Sequence, residues 1–220
     1  NHTILHSAIG PLHLDIKALL PPLFVTMETP MKLPLYAPIG ILMALSACAT
    51  ENSPTVSTSD VQRAYDEALE ISNLPLTATS DLPSGTVTYE GKLGADVSGD
   101  ATGSILGDLR MDVSFASNDV GGTISNINLI NPDGRPDQRF DGTLSIDGAE
   151  NAGRIDAFAS GEITGVDNDG FEVDSDMLLI LDGDVYDDFD NGDAVFGTAR
   201  GDSIGDFNLE VDGVFFGTSE

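Results

Sequence analysis

The feature that most constrains this chain is a recurring alternation of apolar and polar residues, with a period of two, from about residue 84 onward. In residues 110–115, the apolar side chains of Met111, Val113 and Phe115 share one face, and charged or hydroxyl residues occupy the other. The same period of two returns in three later segments: 140–147, 171–181 and 207–215. Such alternation is typical of antiparallel strands with one buried face.

Turn signals separate these runs, among them Asn131-Pro132-Asp133-Gly134 and Asn191-Gly192. The pattern predicts about eight strands, near 85–93, 103–116, 120–130, 138–147, 153–164, 170–182, 193–201 and 205–218. The phase slips between Ile124 and Ile127, which predicts a β-bulge. Eight meandering strands most economically close into a barrel, since closure removes exposed edges. A two-sheet sandwich is the alternative.

The polar face of these strands is rich in Asp, Glu and Asn, and aromatic residues make up only 6% of the chain. A membrane-spanning barrel needs an apolar outer face with aromatic girdles. We therefore expect the apolar face to point inward.

A helix is predicted for residues 59–73, where the apolar residues fall on one face. Ser59 is the expected N-cap, with Gln62 completing a capping box. We expect this helix to act as a strut or to plug one end of the barrel. The small polar residues between 48 and 58 predict a flexible tether of up to ~35 Å when extended.

Residues 31–47 have the parts of a secretory signal peptide: a basic start, a short apolar core and small residues at the end. The segment Leu45-Ser46-Ala47-Cys48 resembles the lipobox of bacterial lipoproteins. The resemblance implies cleavage between Ala47 and Cys48, lipidation of the Cys48 thiol, and anchoring in the outer membrane. Residues 1–30 are then expected to be an upstream extension, with Met27 or Met31 as the start.

The chain is strongly acidic. It has 37 Asp and Glu residues against nine Lys and Arg, a net charge of -28. A surface of this sign repels nucleic acid and anionic lipid head groups. Nucleic-acid partners are therefore not expected.

Residues 48–220 contain no histidine and no tryptophan, and Cys48 is the only cysteine. Ser-His-Asp and Cys-His catalysis and zinc sites built on Cys and His are therefore not expected, and we predict a protein that is not an enzyme. A carboxylate-dependent hydrolase is a remote alternative.

The densest acidic cluster is a weak calcium candidate, because Ca²⁺ prefers oxygen ligands. Its members are Asp182, Asp184, Asp187, Asp188, Asp190 and Asp193. No register matches the EF-hand order, so solvated loop acidity is the favoured interpretation. No other metal or cofactor is expected.

Residues 84–220 resemble the C-terminal β-barrel domain of transferrin-binding protein B and similar surface lipoproteins. The motifs that carry the resemblance are residues 113–124, VSFASNDVGGTI, and residues 192–201, GDAVFGTARG. The resemblance implies an all-β chain: a single eight-stranded antiparallel up-and-down β-barrel, preceded by a signal peptide, a flexible tether and one short helix.

The resemblance also implies a lipid-anchored, non-catalytic module on the outer membrane that binds a protein or nutrient-related ligand through its loops. The chain has no room for the second lobe of the transferrin receptors, and no family contact residue carries over. The alternative is a structural lipoprotein that maintains the envelope and has no diffusible ligand. An exposed apolar patch of several hundred Å² at one barrel end would favour the binding module, and a uniformly acidic, patch-free surface would favour the structural role.

Overall fold

In the computed structural model, the alternating segments form the strands of one antiparallel sheet. The structure describes residues 52–167, 169–188 and 192–219; the predicted signal peptide, Ala47 and Cys48 lie outside them. The strands are β1 Thr86–Gly99, β2 Gly103–Ser114, β3 Asp119–Ile130, β4 Pro136–Gly142, β5 Leu144–Asn151, β6 Arg154–Val166, β7 Glu172–Asp188, β8 Gly192–Gly205 and β9 Leu209–Ser219.

The sheet closes into a ring of eight strand positions. Apart from β4 and β5, successive strands pair with each other, and β1 also pairs with β9, which joins the first strand to the last. β4 and β5 share one position, because β4 pairs with residues 127–130 of β3 and β5 pairs with residues 119–124. All strands belong to one sheet, so the alternative prediction of two packed sheets is wrong.

The inner face of the ring is a continuous apolar core, as the period of two predicted. Tyr89, Leu93, Met111 and Phe215 are among its fully buried side chains. Because alternate side chains of a strand point to opposite faces, the charged residues between them lie on the outer face. The core therefore fills the ring, and most of the acidic residues surround it.

Two loop side chains cover opposite ends of this core. Leu82 packs against it beside the β5–β6 turn, where a Cβ atom on Gly153 would lie 3.3 Å from its side chain. Phe207, in the β8–β9 turn, stacks on Phe140 with ring centroids 5.7 Å apart. These contacts add apolar packing at both ends of the ring.

The predicted bulge is confirmed in β3. Leu106 pairs with Asn128 but Asp108 pairs with Ser125, so two residues of β3 oppose a single residue of β2. Asn126 takes a positive φ of 51° there, which asparagine tolerates better than most residues.

The helix is shorter at its C-terminus than predicted and begins earlier: α1 spans Thr58–Ile71. The prediction of Ser59 as N-cap is wrong. Ser57 is the N-cap, and its hydroxyl accepts a hydrogen bond from the backbone N–H of Asp60, whose carboxylate accepts one from the backbone N–H of Ser57. This box uses Asp at the third helical position, where the usual pattern has Glu or Gln.

α1 lies on the outer wall of the ring. The interpretation of this helix as a plug expected it at one end of the ring instead. Its buried residues Ala64 and Ile71 pack against Leu106 of β2, Ala194 of β8 and Phe216 of β9. These strand residues point outward and are apolar, so α1 covers an apolar area that alternation alone would leave to solvent.

The second half of the predicted tether contacts the sheet. The backbone N–H of Arg139 donates to the carbonyl of Asn52 (2.9 Å), and that of Thr55 donates to the side-chain oxygen of Asn128 (2.9 Å). Residues 52–57 are therefore held against β3 and β4, and the flexible tether does not extend over the whole of the predicted range.

Candidate interaction surface

The outer face of β7 departs from the polar pattern at its centre. Residues 177–181, MLLIL, are all apolar, although acidic residues border this run at both ends. Met177, Leu179 and Leu181 point inward and are at most 1% exposed. Leu178 and Ile180 point outward and are 49% and 55% exposed. A strand apolar on both faces is typical of a sheet covered on both sides, but the described residues leave this outer face open.

Neighbouring strands extend this area. Phe158 of β6 lies directly opposite Ile180 and is 54% exposed. Ile204 of β8 is two residues from Asp202, the partner of Leu178, so it is a diagonal neighbour of Leu178. We call these four residues, Phe158, Leu178, Ile180 and Ile204, the β6–β8 patch.

Acidic side chains surround the β6–β8 patch. Four of them are exposed and form no ion pair with any described residue: Asp147, Glu162, Asp176 and Asp202. Asp147 lies opposite Phe158, Asp202 lies opposite Leu178, and Asp176 lies opposite Ile204. Glu162 lies opposite Asp176. We call these four carboxylates the acidic frame.

The nearest cations are engaged with other carboxylates. Arg154 binds Asp182 at 2.8 Å and Asp156 at 3.4 Å. Arg200, opposite Ile180, binds Asp212 at 2.8 Å. The β6–β8 patch therefore offers an apolar centre and unpaired negative charge, but the described residues add no unpaired positive charge to it.

A groove of about 470 Å³ beside α1 is the competing site for a small ligand. Most of the charged residues that line it are paired with each other, and Glu67 of α1 is the exception. Lys92 forms an ion pair with Asp108, and Arg110 forms one with Glu90 at 2.7 Å. Because these groups bind each other, the groove presents fewer free charges to a ligand than the acidic frame does.

The calcium candidates lie on both faces of the sheet. Asp182 and Asp184 point outward, whereas Asp187 and Asp193 face each other across β7 and β8 on the inner side. Asp188 points outward at the end of β7, and Asp190 lies outside the described residues. Among the residues that the structure describes, no three acidic, histidine or cysteine side chains are close enough to hold a metal ion.

Asp193 has a perturbed environment. Burial raises its pKa, the Asp187 carboxylate raises it further, and the Thr77 hydroxyl, which donates to Asp193 (3.3 Å), opposes both. Nearby, burial raises the pKa of Tyr89, with Asp193 and Glu150 adding to the effect. These groups form a polar cluster inside the ring, below residues 75–77, which pair with the end of β7.

The β6–β8 patch was not predicted from the sequence, although a signal for it was present. Alternation placed Phe171 with the inner face of β7, but the strand begins at Glu172 and Phe171 is 68% exposed. The stronger signal was the loss of alternation at Leu178 and Ile180, because apolar residues at consecutive strand positions are typical of a strand that is covered on both faces.

No protein-family model, curated protein or solved structure matches this chain. Among the described residues, no helix has the length and apolar character needed to cross a membrane. Function is therefore inferred from the residues and surfaces of the molecule itself.

Proposed function

We propose that this protein is a lipid-anchored binding module of a bacterial outer membrane. In this proposal the ring is an up-and-down β-barrel of the transferrin-binding protein-like kind, Cys48 carries the lipid, and the β6–β8 patch binds a protein partner. The proposed module is non-catalytic and needs no cofactor.

The observation that carries the proposal is the open β6–β8 patch. Elsewhere on the same wall, the apolar residues Leu106, Ala194 and Phe216 are covered by α1. Phe158, Leu178 and Ile180 are about half exposed and have no such cover among the described residues. Contiguous apolar area with a polar rim is typical of protein interaction sites. This favours the binding module over the structural lipoprotein, which requires no such patch.

The lipobox and the composition support the rest of the proposal. Cys48 is the only thiol of the chain, and acylation would account for its position directly after a signal-like segment. The absence of histidine after residue 13 removes the most common general base, which supports a role in binding.

The test is a pull-down from intact cells of the source organism with residues 49–220, repeated with and without Ca²⁺. A variant with Phe158→Thr, Leu178→Thr and Ile180→Thr removes the apolar centre but keeps residues that favour strands. A matched control, Tyr65→Thr with Leu69→Thr, removes exposed apolar area from α1. We expect a specific partner to be retained by the wild type and the control and lost with the triple variant.

Two results would count against the proposal. Retention of the same proteins by the triple variant would show that the patch does not bind them. Ca²⁺-dependent retention of proteins by the triple variant would place the binding at the acidic cluster of residues 182–193 and not at the patch.

A further inference from the structure

We infer that the β6–β8 patch is built for a basic protein segment, one that has an apolar centre flanked by Lys or Arg. This inference deepens the proposed function and rests on it, because it names the chemistry of the partner. Its basis is the arrangement of charge around the patch and not the apolar area alone.

The apolar residues and the free carboxylates occupy neighbouring positions on the same strands. On β7, Asp176 lies two residues before Leu178, and both point outward. Across the ladder, Asp147 is paired with Phe158 and Asp202 with Leu178. Directly opposite residues have Cβ atoms ~4.5 to 5.5 Å apart, so a partner that covers the apolar side chains also contacts the carboxylates.

Each acidic residue of the frame would cost free energy if a neutral partner removed it from water. An unpaired charge that is buried at an interface loses solvation without compensation. Lysine or arginine at the margin of the bound protein would form an ion pair with each carboxylate. The same charges would raise the rate of association. The arginines already present at the patch cannot do so, because Arg154 and Arg200 bind other carboxylates.

Two other possible occupants of the β6–β8 patch match the negative charge of the acidic frame less well. A second copy of this chain would bring two acidic frames and two net charges of -28 together. An anionic lipid surface would meet the same repulsion. Both are measurable outcomes of the test.

The test uses the chain from residue 49 to 220 and two synthetic peptides of equal length, one of Leu and Lys and one of Leu and Glu. Binding is measured by fluorescence anisotropy at low and at physiological salt. The triple variant Phe158→Thr, Leu178→Thr, Ile180→Thr removes the apolar centre. A second variant, Asp147→Asn, Glu162→Gln, Asp176→Asn, Asp202→Asn, removes the charge of the frame.

The matched control removes the same number of negative charges at exposed positions away from the patch. It carries Asp66→Asn, Glu70→Gln, Asp133→Asn and Asp137→Asn. Because the whole surface is acidic, this control separates binding at the patch from attraction to the net charge. Circular dichroism melting curves check that all variants are folded.

We expect the Leu/Lys peptide to bind the wild type and the control within about twofold of each other, and to lose about tenfold or more in affinity with either patch variant. The Leu/Glu peptide should not bind. Equal losses in the frame variant and the control would overturn the inference, as would equal binding of the two peptides.

Patch-dependent dimers in analytical ultracentrifugation, or patch-dependent binding to phosphatidylglycerol vesicles, would overturn it in favour of a second copy or a membrane. If the pull-down is patch-dependent but the Leu/Lys peptide does not bind, only the proposed partner chemistry fails. If neither experiment depends on the patch, the proposed function fails as well.

Discussion

At the scale of single residues, the core contains a polar atom that finds no hydrogen-bond partner among the described residues. Tyr89 is fully buried, and no described residue offers a hydrogen-bond partner to its hydroxyl. A buried hydroxyl without a partner costs about 1–3 kcal/mol relative to one that is satisfied.

Tyr89→Phe removes this hydroxyl and keeps the ring in place. We expect the free energy of unfolding to stay constant or to rise by about 1 kcal/mol, because only the unsatisfied group is lost. Urea titration measures the change, and Tyr65→Phe on the exposed side of α1 is the control. A clear loss of stability in Tyr89→Phe would show that the hydroxyl is satisfied in solution.

The raised pKa of Asp193 predicts that the free energy of unfolding depends on pH. Burial raises its pKa in the folded state above the ordinary value of 3.8, so the folded state favours the protonated form. Ionised Asp193 therefore lowers the free energy of unfolding at pH 7. This loss disappears as the pH falls below the pKa that Asp193 has in the unfolded chain.

Asp193→Asn should accordingly raise the free energy of unfolding at pH 7, with a gain that shrinks toward zero at pH 3. The asparagine oxygen can still accept the hydrogen bond of Thr77. Urea titrations at both pH values measure the gain, and Asp119→Asn, at an exposed position, controls for the loss of one negative charge. A gain of the same size at both pH values would contradict the explanation.

Some residue-scale features followed from local chemistry and others did not. The bulge near Asn126 was visible because it shifts the phase of the apolar residues along one strand. The N-cap was placed two residues too late, because the box of Ser57 and Asp60 uses a shorter acidic side chain than the usual pattern. The polar cluster around Tyr89 and Asp193 joins residues about a hundred positions apart, and no local pattern encodes that distance.

At the scale of elements, the inner face of the sheet depends on close approach between strands. Gly183 of β7 and Gly197 of β8 are directly opposite, and Phe215 of β9 lies opposite Gly197. A Cβ atom on Gly197 would lie 2.5 Å from the Phe215 ring and 2.5 Å from the Cα of Gly183. The two glycines therefore make room for a fully buried aromatic ring.

Gly197→Ala should lower the free energy of unfolding by about 1–3 kcal/mol, because the added methyl group overpacks this position. Gly94→Ala on β1 is the matched control: a Cβ there meets nothing within 4 Å, and we expect no loss of stability. Thermal and urea unfolding of the two variants provide the comparison. Equal effects at the two positions would contradict the packing argument.

The helix illustrates how far an element can be predicted. Its existence was evident from the spacing of Val61, Ala64, Tyr65, Ala68 and Leu69, which predicted one apolar face. Two of these residues, Tyr65 and Leu69, are instead 38% and 45% exposed. The position of the helix on the wall was not evident, because that depends on outward apolar residues contributed by β2, β8 and β9. Those residues are scattered along the sequence from 106 to 216, and only the closed sheet brings them under one helix.

At the scale of the whole molecule, closure of the ring joins β1 to β9 over eleven paired residues. Residues 52–57 then bind to β3 and β4, and Asn52, the first described residue, is four residues after Cys48. In the proposed lipoprotein, those four residues span at most ~14 Å when extended, which would hold the sheet near the membrane surface.

Cys48→Ser in the full chain should abolish retention in the outer-membrane fraction and leave the thermal unfolding of the sheet unchanged, since Cys48 precedes every described strand. Cell fractionation with immunoblotting measures the first effect and circular dichroism the second. Ser46→Ala keeps the Cys48 thiol and serves as the control. If the Cys48→Ser variant still sediments with the outer membrane, the lipid anchor is wrong.

The sequence alone determined the period of two, the turns, the bulge and the inward direction of the apolar face, because each depends on neighbours within a few residues along one strand. Closure of the ring, the position of α1 and the pairing of Phe158 with Ile180 were decided only by the tertiary structure. These features depend on which strands become neighbours and on which part of the outer wall α1 covers. The run at Leu178 and Ile180 depends on both. The sequence showed that both faces of this run are apolar, and only the fold showed that the described residues leave the outer face open beside four carboxylates that form no ion pair with them.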